Sequence, residues 1–160
     1  MNRQHLFCMI ISGCIVVFAL VMVMLKRQRG PPTRHNNKID ELKEIIKTAC
    51  ERDDKNNTHG EMMNKICKKV SDTKISEEKQ SYTINKEKIY LCLYDKNNQY
   101  YSNNMLIYVL LHEFSHVLCK SVGHTDEFYD IFNRVLQDAV ERGVYDPNIP
   151  IDETYCKHNE

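Results

Sequence analysis

Apolar positions divide the chain into one long uninterrupted run and several shorter periodic segments. The run from Leu6 to Leu25 holds twenty residues without a charge, mostly Ile, Val, Leu, Met and Phe. A helix of that length crosses the roughly 30 Å of hydrocarbon in a bilayer. A cleaved signal peptide is the alternative, but its apolar region is normally shorter, and this run ends without a small-residue cleavage site. The pattern therefore predicts a transmembrane helix over residues 6–25 that contacts the lipid bilayer.

After this run, the apolar positions recur with the periods of helices and strands. The helical period predicts helices over Lys38–Cys50 and Gly60–Val70, an apolar helix through Met105–Leu118, and a fourth helix from Thr125 to Gly143. β-Branched and aromatic residues predict strands over Tyr82–Ile84 and Lys88–Tyr94, joined by a turn at Asn85-Lys86-Glu87. These elements predict a small α+β domain.

Four regions follow from this pattern. A tail of residues 1–5 precedes the transmembrane helix, and residues 26–37 form a basic linker in which Gly30-Pro31-Pro32 ends any helix. Residues 38–160 form the domain. Their number, about 125, is enough for one hydrophobic core and too small for two.

Charges flanking the apolar run predict its orientation. Arg3 is the only Lys or Arg before the run, whereas Lys26, Arg27, Arg29 and Arg34 follow it. The positive-inside rule therefore places the domain on the cytoplasmic side of a single-pass membrane protein. The whole chain has 22 basic and 22 acidic residues, so its net charge provides no attraction to nucleic acid.

Cysteine usage favours the same compartment. Five cysteines lie beyond the run without a C-x-x-C pair, namely Cys50, Cys67, Cys92, Cys119 and Cys156. An odd number without such pairing predicts reduced thiols. The Asn56-Asn57-Thr58 acceptor pattern for glycosylation would be used only in a lumenal domain, and we expect Asn56 to be unmodified.

One motif has the spacing that metal chemistry requires. In His112-Glu113-Phe114-Ser115-His116 the two histidines lie four residues apart, on one face of the predicted apolar helix. Two imidazoles so placed can bind one Zn²⁺, and the adjacent carboxylate of Glu113 can act as a general base. A pair of hydrogen-bonded core histidines is the alternative, but an apolar helix must then satisfy three buried polar groups separately.

A third ligand is predicted shortly after this helix. Gly123 permits a chain reversal that can bring His124 back toward the first two histidines. Acidic residues of the next helix are the alternative ligands, namely Glu127, Asp130 and Glu141. His124 is favoured because it directly follows the reversal.

The sequence around these residues resembles a known protein family. The segment from Ile89 to Phe132, with I-Y-L-C-L, H-E-F-S-H and G-H-T-D-E-F, resembles the WLM and SprT-like group of small zincin metallopeptidases. The chain is also similar to short WLM-like proteins of large DNA viruses, through Gly143-Val144-Tyr145 and Tyr155-Cys156. The resemblance implies a strand before the zinc helix and a third histidine in an H-x-x-x-F element, here His124 to Phe128.

The sequence therefore predicts a membrane-anchored zinc metallopeptidase that hydrolyses protein or peptide substrates. Its ligands would be His112, His116 and His124, and its base Glu113. We expect the strand Ile89–Tyr94 or its neighbour to line the substrate cleft. Candidates for stabilising the oxyanion are Tyr129, Tyr145 and Tyr155, by side-chain chemistry alone. The alternative is an inactive membrane-tethered scaffold whose structural zinc takes Cys119 as a fourth ligand.

Overall fold

A computed structural model describes residues 36–52 and 60–156 of the chain. The predicted transmembrane helix at 6–25, nearly all of the linker, and Asn56 lie outside the described residues. Within the described ranges, no helix is both long and apolar enough to cross a bilayer.

Four helices and three strands form an α+β fold in the described part of the chain. In order they are α1 (Asn37–Arg52), α2 (Glu61–Val70), β1 (Lys74–Glu77), β2 (Tyr82–Ile84), β3 (Lys88–Leu91), α3 (Asn103–Leu118) and α4 (Asp126–Glu141). The predicted α+β class is confirmed. The strand predicted over Lys88–Tyr94 is shorter, and β1 was not predicted.

The sheet has the order β1-β3-β2, with β1 parallel and β2 antiparallel to the central strand. Asn85 and Lys86 both have positive φ values, 52° and 58°. That conformation fits a tight hairpin turn between β2 and β3. Because β3 lies between two strands, its residues Ile89 to Leu91 are buried, whereas β2 lies at the edge of the sheet.

Helix α3 forms the centre of the core. Ten of its sixteen residues are buried, as expected for a helix that is apolar around most of its circumference. Ser102 caps its first turn by accepting a hydrogen bond from the backbone N–H of Met105 at 3.2 Å. The helix packs against α4, β2 and β3, and this packing fixes the motif of α3 beside the edge strand.

The cysteines correct the prediction of reduced thiols. Cys50 pairs with Cys67, and Cys92 pairs with Cys156, with Cα–Cα distances of 5.9 and 6.3 Å. Both distances lie in the range that a disulfide requires. Cys119 is the free cysteine of the described residues. The pairs are 17 and 64 residues apart in sequence, so they arise from the fold and have no local motif that could reveal them.

Helix α2 begins without a capping side chain of its own. Its N-cap is Gly60, and the first-turn amides of Met62 and Met63 donate instead to the carboxylate of Asp138 on α4, at 2.9 and 3.1 Å. This carboxylate therefore replaces the missing cap and joins α2 to α4.

Asp138→Ala should lower the free energy of unfolding by about 1 to 2 kcal/mol, because two amides of α2 lose their acceptor. Chemical denaturation measures the loss. Asp130→Ala, on the same helix, is the matched control: Asp130 is exposed and lies 3.9 Å from Arg134, so its removal should cost less than about 0.5 kcal/mol. Equal losses in the two variants would exclude the capping role.

Candidate metal centre

Helix α3 places His112 and His116 on one side, one turn apart, toward α4. Their ring centroids are 5.0 Å apart, which is the separation expected of residues four apart on a helix. The helix ends just after His116, at Cys119, whose backbone is extended. The chain therefore turns away directly beyond the second histidine.

The loop between α3 and α4 brings His124 back beside His112 and His116. Gly123 has a φ of 83°, a conformation that favours glycine. The carboxylate of Glu127 accepts hydrogen bonds from the backbone N–H groups of Lys120 and Ser121, at 3.1 and 3.0 Å. These bonds hold the loop against the first turn of α4 and lower the pKa of Glu127 to about 2.

The three imidazoles converge through the same ring atom. The Nε2 atom of His124 lies 3.0 Å from Nε2 of His112 and 3.2 Å from Nε2 of His116. One ring nitrogen offers a single N–H or a single lone pair in the ring plane, so it can satisfy only one of these neighbours. Three nitrogens around one tetrahedral zinc would be roughly 3.4 Å apart. The three histidines are therefore close enough to bind one metal ion.

The ring of Phe128 packs against all three imidazoles. Its side chain is fully buried and stacks on His116 with centroids 4.2 Å apart, while its ring meets those of His112 and His124 at 4.9 and 4.8 Å. The hydroxyl of Thr125 caps α4 by accepting from the Phe128 backbone N–H. The spacing from His124 to Phe128 thus places the third histidine and the supporting ring together.

The surroundings of His112 and His116 favour their neutral forms. Burial lowers the pKa of His112 to about 4, helped by the nearby His116 and His124. Burial and the proximity of His124 also lower the pKa of His116. A neutral imidazole has the lone pair that binds a metal ion, so the donor set fits a divalent metal such as zinc.

Glu113 lies beside the histidines and is buried, with 4% of its surface exposed. Thr83 on β2 donates its hydroxyl proton to the carboxylate Oε2 at 2.8 Å and lies 3.1 Å from the Glu113 backbone carbonyl. Burial raises the pKa of Glu113 to about 7, and the Thr83 hydrogen bond opposes that rise. A carboxylate whose pKa lies near neutral pH is suited to taking and returning a proton.

A cleft of about 460 Å³ opens over this group. Its lining includes Ser81, Tyr82 and Thr83 together with the three histidines and Glu113. Edge strand β2 therefore lines the cleft. Of the two strands proposed for this role, the neighbour of the Ile89–Tyr94 segment occupies it, because β3 is covered on both edges.

The alternative ligands lie elsewhere. Glu127 is bonded to the loop, Asp130 pairs with Arg134, and Glu141 accepts from Gln137 at 3.2 Å. The Sγ atom of Cys119 lies 3.0 Å from the hydroxyl of Ser121. Among the described residues, the convergent donors are the three histidines alone.

The tyrosines proposed for the oxyanion have different positions. Tyr129 is half exposed, and its ring lies 6.2 Å from that of His124. Tyr145 packs against Tyr108, away from the cleft lining. The Tyr155 hydroxyl donates to the Cys92 carbonyl and contacts Ser81 at 2.7 Å, so it positions a cleft residue, and burial raises its pKa.

Ser81, Thr83 and Lys86 are among the cleft residues that were not predicted as site residues. They lie about thirty residues before the motif, and no fixed spacing links them to it. The only available signal was the expectation that a strand lines the cleft.

Comparisons with known proteins identify partial relatives. No protein-family model matches the chain, and no solved structure matches it significantly. The chain is 48% identical over 84 residues to uncharacterized protein 042R of Invertebrate iridescent virus 3, covering 52% of this chain and 53% of that protein. It is 43% identical over 90 residues to uncharacterized protein 136R of Invertebrate iridescent virus 6, covering 54% and 51%.

A third relative is more distant. Uncharacterized protein R325 of Acanthamoeba polyphaga mimivirus is 37% identical over 67 residues, which are 41% of this chain and 34% of that protein. The chain thus matches about half the length of the first two relatives and a third of the last. Their names assign no activity or cofactor, so the resemblance to the WLM and SprT-like peptidases stays a prediction.

Proposed function

We propose that this protein is a zinc-dependent peptidase with a zincin-like fold. The observation that carries the proposal is the convergence of three imidazoles beside a buried carboxylate, in a cleft bordered by an edge strand. In the proposed enzyme His112, His116 and His124 hold Zn²⁺. When bound there, the ion acts as a Lewis acid and lowers the pKa of water to about 7.

The reaction then depends on where the chain places its proton acceptor. Glu113 Oε1 or Oε2 accepts the proton of the attacking water, and the same carboxyl group delivers it to the leaving amine. Thr83 orients this carboxylate through its 2.8 Å hydrogen bond. The edge of β2 offers backbone groups to an extended peptide, which favours a protein or peptide substrate over a small ester.

A scaffold with structural zinc is the alternative class, and it calls for a fourth protein ligand. Cys119 was the proposed candidate. Its thiol is buried and contacts Ser121, and it does not belong to the convergent donors of the described residues. A buried carboxylate beside the first histidine also has a use in a hydrolase and none in a closed site.

The test combines metal analysis with cleavage of a peptide library by the full-length protein purified in detergent. We expect one zinc per chain, cleavage that stops after chelation, and recovery when zinc is returned. His124→Ala should lose most of the metal and lower the melting temperature, because metal binding contributes to stability. Full zinc occupancy in this variant would instead point to an acidic ligand on α4.

Thr83→Val should lower kcat/KM about tenfold, because a hydrogen bond to a charged group is worth roughly 1.5 kcal/mol or more. Thr83→Ser keeps the hydroxyl and should retain most of the activity. The matched control is Thr48→Val on α1, which lies outside the cleft lining and should leave kcat/KM unchanged. Thr83→Val with wild-type activity would show that Glu113 needs no such orientation.

A further inference from the structure

A second cavity, of about 640 Å³, is lined mainly by lysines. They are Lys65, Lys68, Lys69, Lys74, Lys86 and Lys88, accompanied by two acidic residues, Asp72 and Glu87. Six positive and two negative side chains give this lysine basin a local charge of +4. The whole chain has equal numbers of basic and acidic residues, so the basin is a local concentration of charge.

Most of these lysines form no ion pair within the part of the chain that the structure describes. Lys65 pairs with Glu61 at 2.6 Å. Lys68, Lys69, Lys74 and Lys88 form no ion pair with another of the described residues, and the first three are exposed. Like charges brought together repel each other, so an anionic ligand is what the surface can bind favourably.

The lysine basin adjoins the metal cleft. Lys86 lines both cavities, and its Nζ donates to the carbonyls of Cys119 and Lys120 at 2.6 Å each. Val117 and Leu118, which directly follow His116, also line the basin. From His116 to Leu118 the helix rises about 3 Å, and one residue of an extended peptide spans about 3.3 Å. The basin thus begins within a few substrate residues of the histidines.

We propose that the lysine basin binds acidic side chains of the peptide substrate, a few residues from the scissile bond. This inference rests on the peptidase function proposed above. Its continuity with the cleft favours a flanking segment of the same peptide over a separate anionic partner such as a membrane surface or a nucleic acid. Individual exposed charge pairs are weak, so the preference is the joint effect of several lysines and falls as salt rises.

The test uses one cleavable peptide, identified from the library, in two versions. One has three glutamates flanking the scissile bond on one side, and the other has glutamines at the same positions; each side is tried in turn. At low salt we expect about a tenfold higher kcat/KM for the acidic version on one side. Lys69→Gln/Lys74→Gln should reduce that ratio to threefold or less, and Lys79→Gln/Lys96→Gln, outside the basin lining, should preserve it.

Binding provides a readout that needs no turnover. The labelled acidic peptide should bind Glu113→Gln protein about tenfold more tightly than the glutamine peptide in fluorescence anisotropy, and Lys69→Gln/Lys74→Gln should abolish the difference. Cleavage of both peptides at equal rates would overturn the inference and leave the peptidase function intact. No cleavage of any peptide by zinc-loaded, folded protein would overturn both.

Binding of a membrane surface or a nucleic acid to the basin is tested with the same variants. Vesicles containing phosphatidylserine and a short DNA duplex are titrated against the wild type and the Lys69→Gln/Lys74→Gln variant. If the variant loses vesicle or DNA binding while the peptide preference is unchanged, the basin serves that partner and the substrate assignment is wrong. Basin-dependent peptide preference without vesicle or DNA binding supports the assignment.

Discussion

Glu113→Gln should keep its zinc and lose its peptidase activity. The amide nearly matches the carboxyl group in shape and leaves all three imidazoles unchanged, but it cannot accept a proton from water. General acid and base catalysis typically contributes a hundredfold to ten-thousandfold, so kcat should fall by about that factor. Stopped assays with a library-derived peptide measure the rate, and metal analysis of the same sample measures zinc.

The control for this change is Glu141→Gln. Glu141 is exposed on α4 and accepts a hydrogen bond from Gln137, so its amide should have wild-type zinc content and kcat. The order of effects separates the two function classes. If the zinc is structural, the wild type should cleave no peptide, and Glu113→Gln should leave the zinc content unchanged. A Glu113→Gln enzyme that cleaves as fast as the wild type would rule out the proposed mechanism.

The histidines were predictable because their placement is set locally. Residues four apart on a helix lie on the same face whatever the rest of the chain does. Predicting that His112 and His116 lie together therefore required only that the helix itself be predicted. His124 needed a reversal, and Gly123 with its φ of 83° provides it. The aromatic support from Phe128 also follows from a local spacing, because His124 is directly before the cap of α4.

Other features of the site depend on contacts between distant segments. Thr83 reaches Glu113 only because β2 pairs antiparallel with β3 and α3 packs against both. Strand β1 has a single apolar side chain, Ile75, among polar neighbours, which is too short a pattern to indicate a strand. The lysine basin draws on α2, β1, the β2–β3 turn and the end of α3, so no single segment of the sequence reveals it.

The cysteine pairs also depend on contacts between distant segments, and they change the argument about the compartment of the domain. An odd count without C-x-x-C spacing favoured reduced thiols, but the fold brings two pairs within bonding distance. Disulfides persist mainly in oxidising compartments. The cytoplasmic orientation predicted for the domain therefore rests on the charge bias around residues 6–25 alone, and protease protection of sealed membranes tests it directly.

Removing either disulfide should destabilise the domain strongly. In the chain-entropy model, closing a loop of 17 residues contributes about 3 kcal/mol and a loop of 64 residues about 4 kcal/mol. We therefore expect Cys92→Ala/Cys156→Ala to lower the free energy of unfolding more than Cys50→Ala/Cys67→Ala. Guanidinium titrations of the zinc-free proteins measure both. Cys119→Ala removes a buried thiol without a bridge and should cost about 1 kcal/mol.

The Cys92–Cys156 disulfide should also affect the geometry of the cleft. Cys156 follows Tyr155, whose hydroxyl donates to the Cys92 carbonyl and contacts Ser81 in the cleft lining. Loss of the Cys92–Cys156 bridge frees this segment, so peptide cleavage should fall along with stability, whereas loss of the Cys50–Cys67 bridge should affect stability alone.

Thiol alkylation of protein taken directly from expressing cells decides whether the bridges form there. Seven reactive thiols in the denatured full-length protein, with unchanged stability in both double variants, would contradict the disulfides and restore the cysteine argument for a cytoplasmic domain.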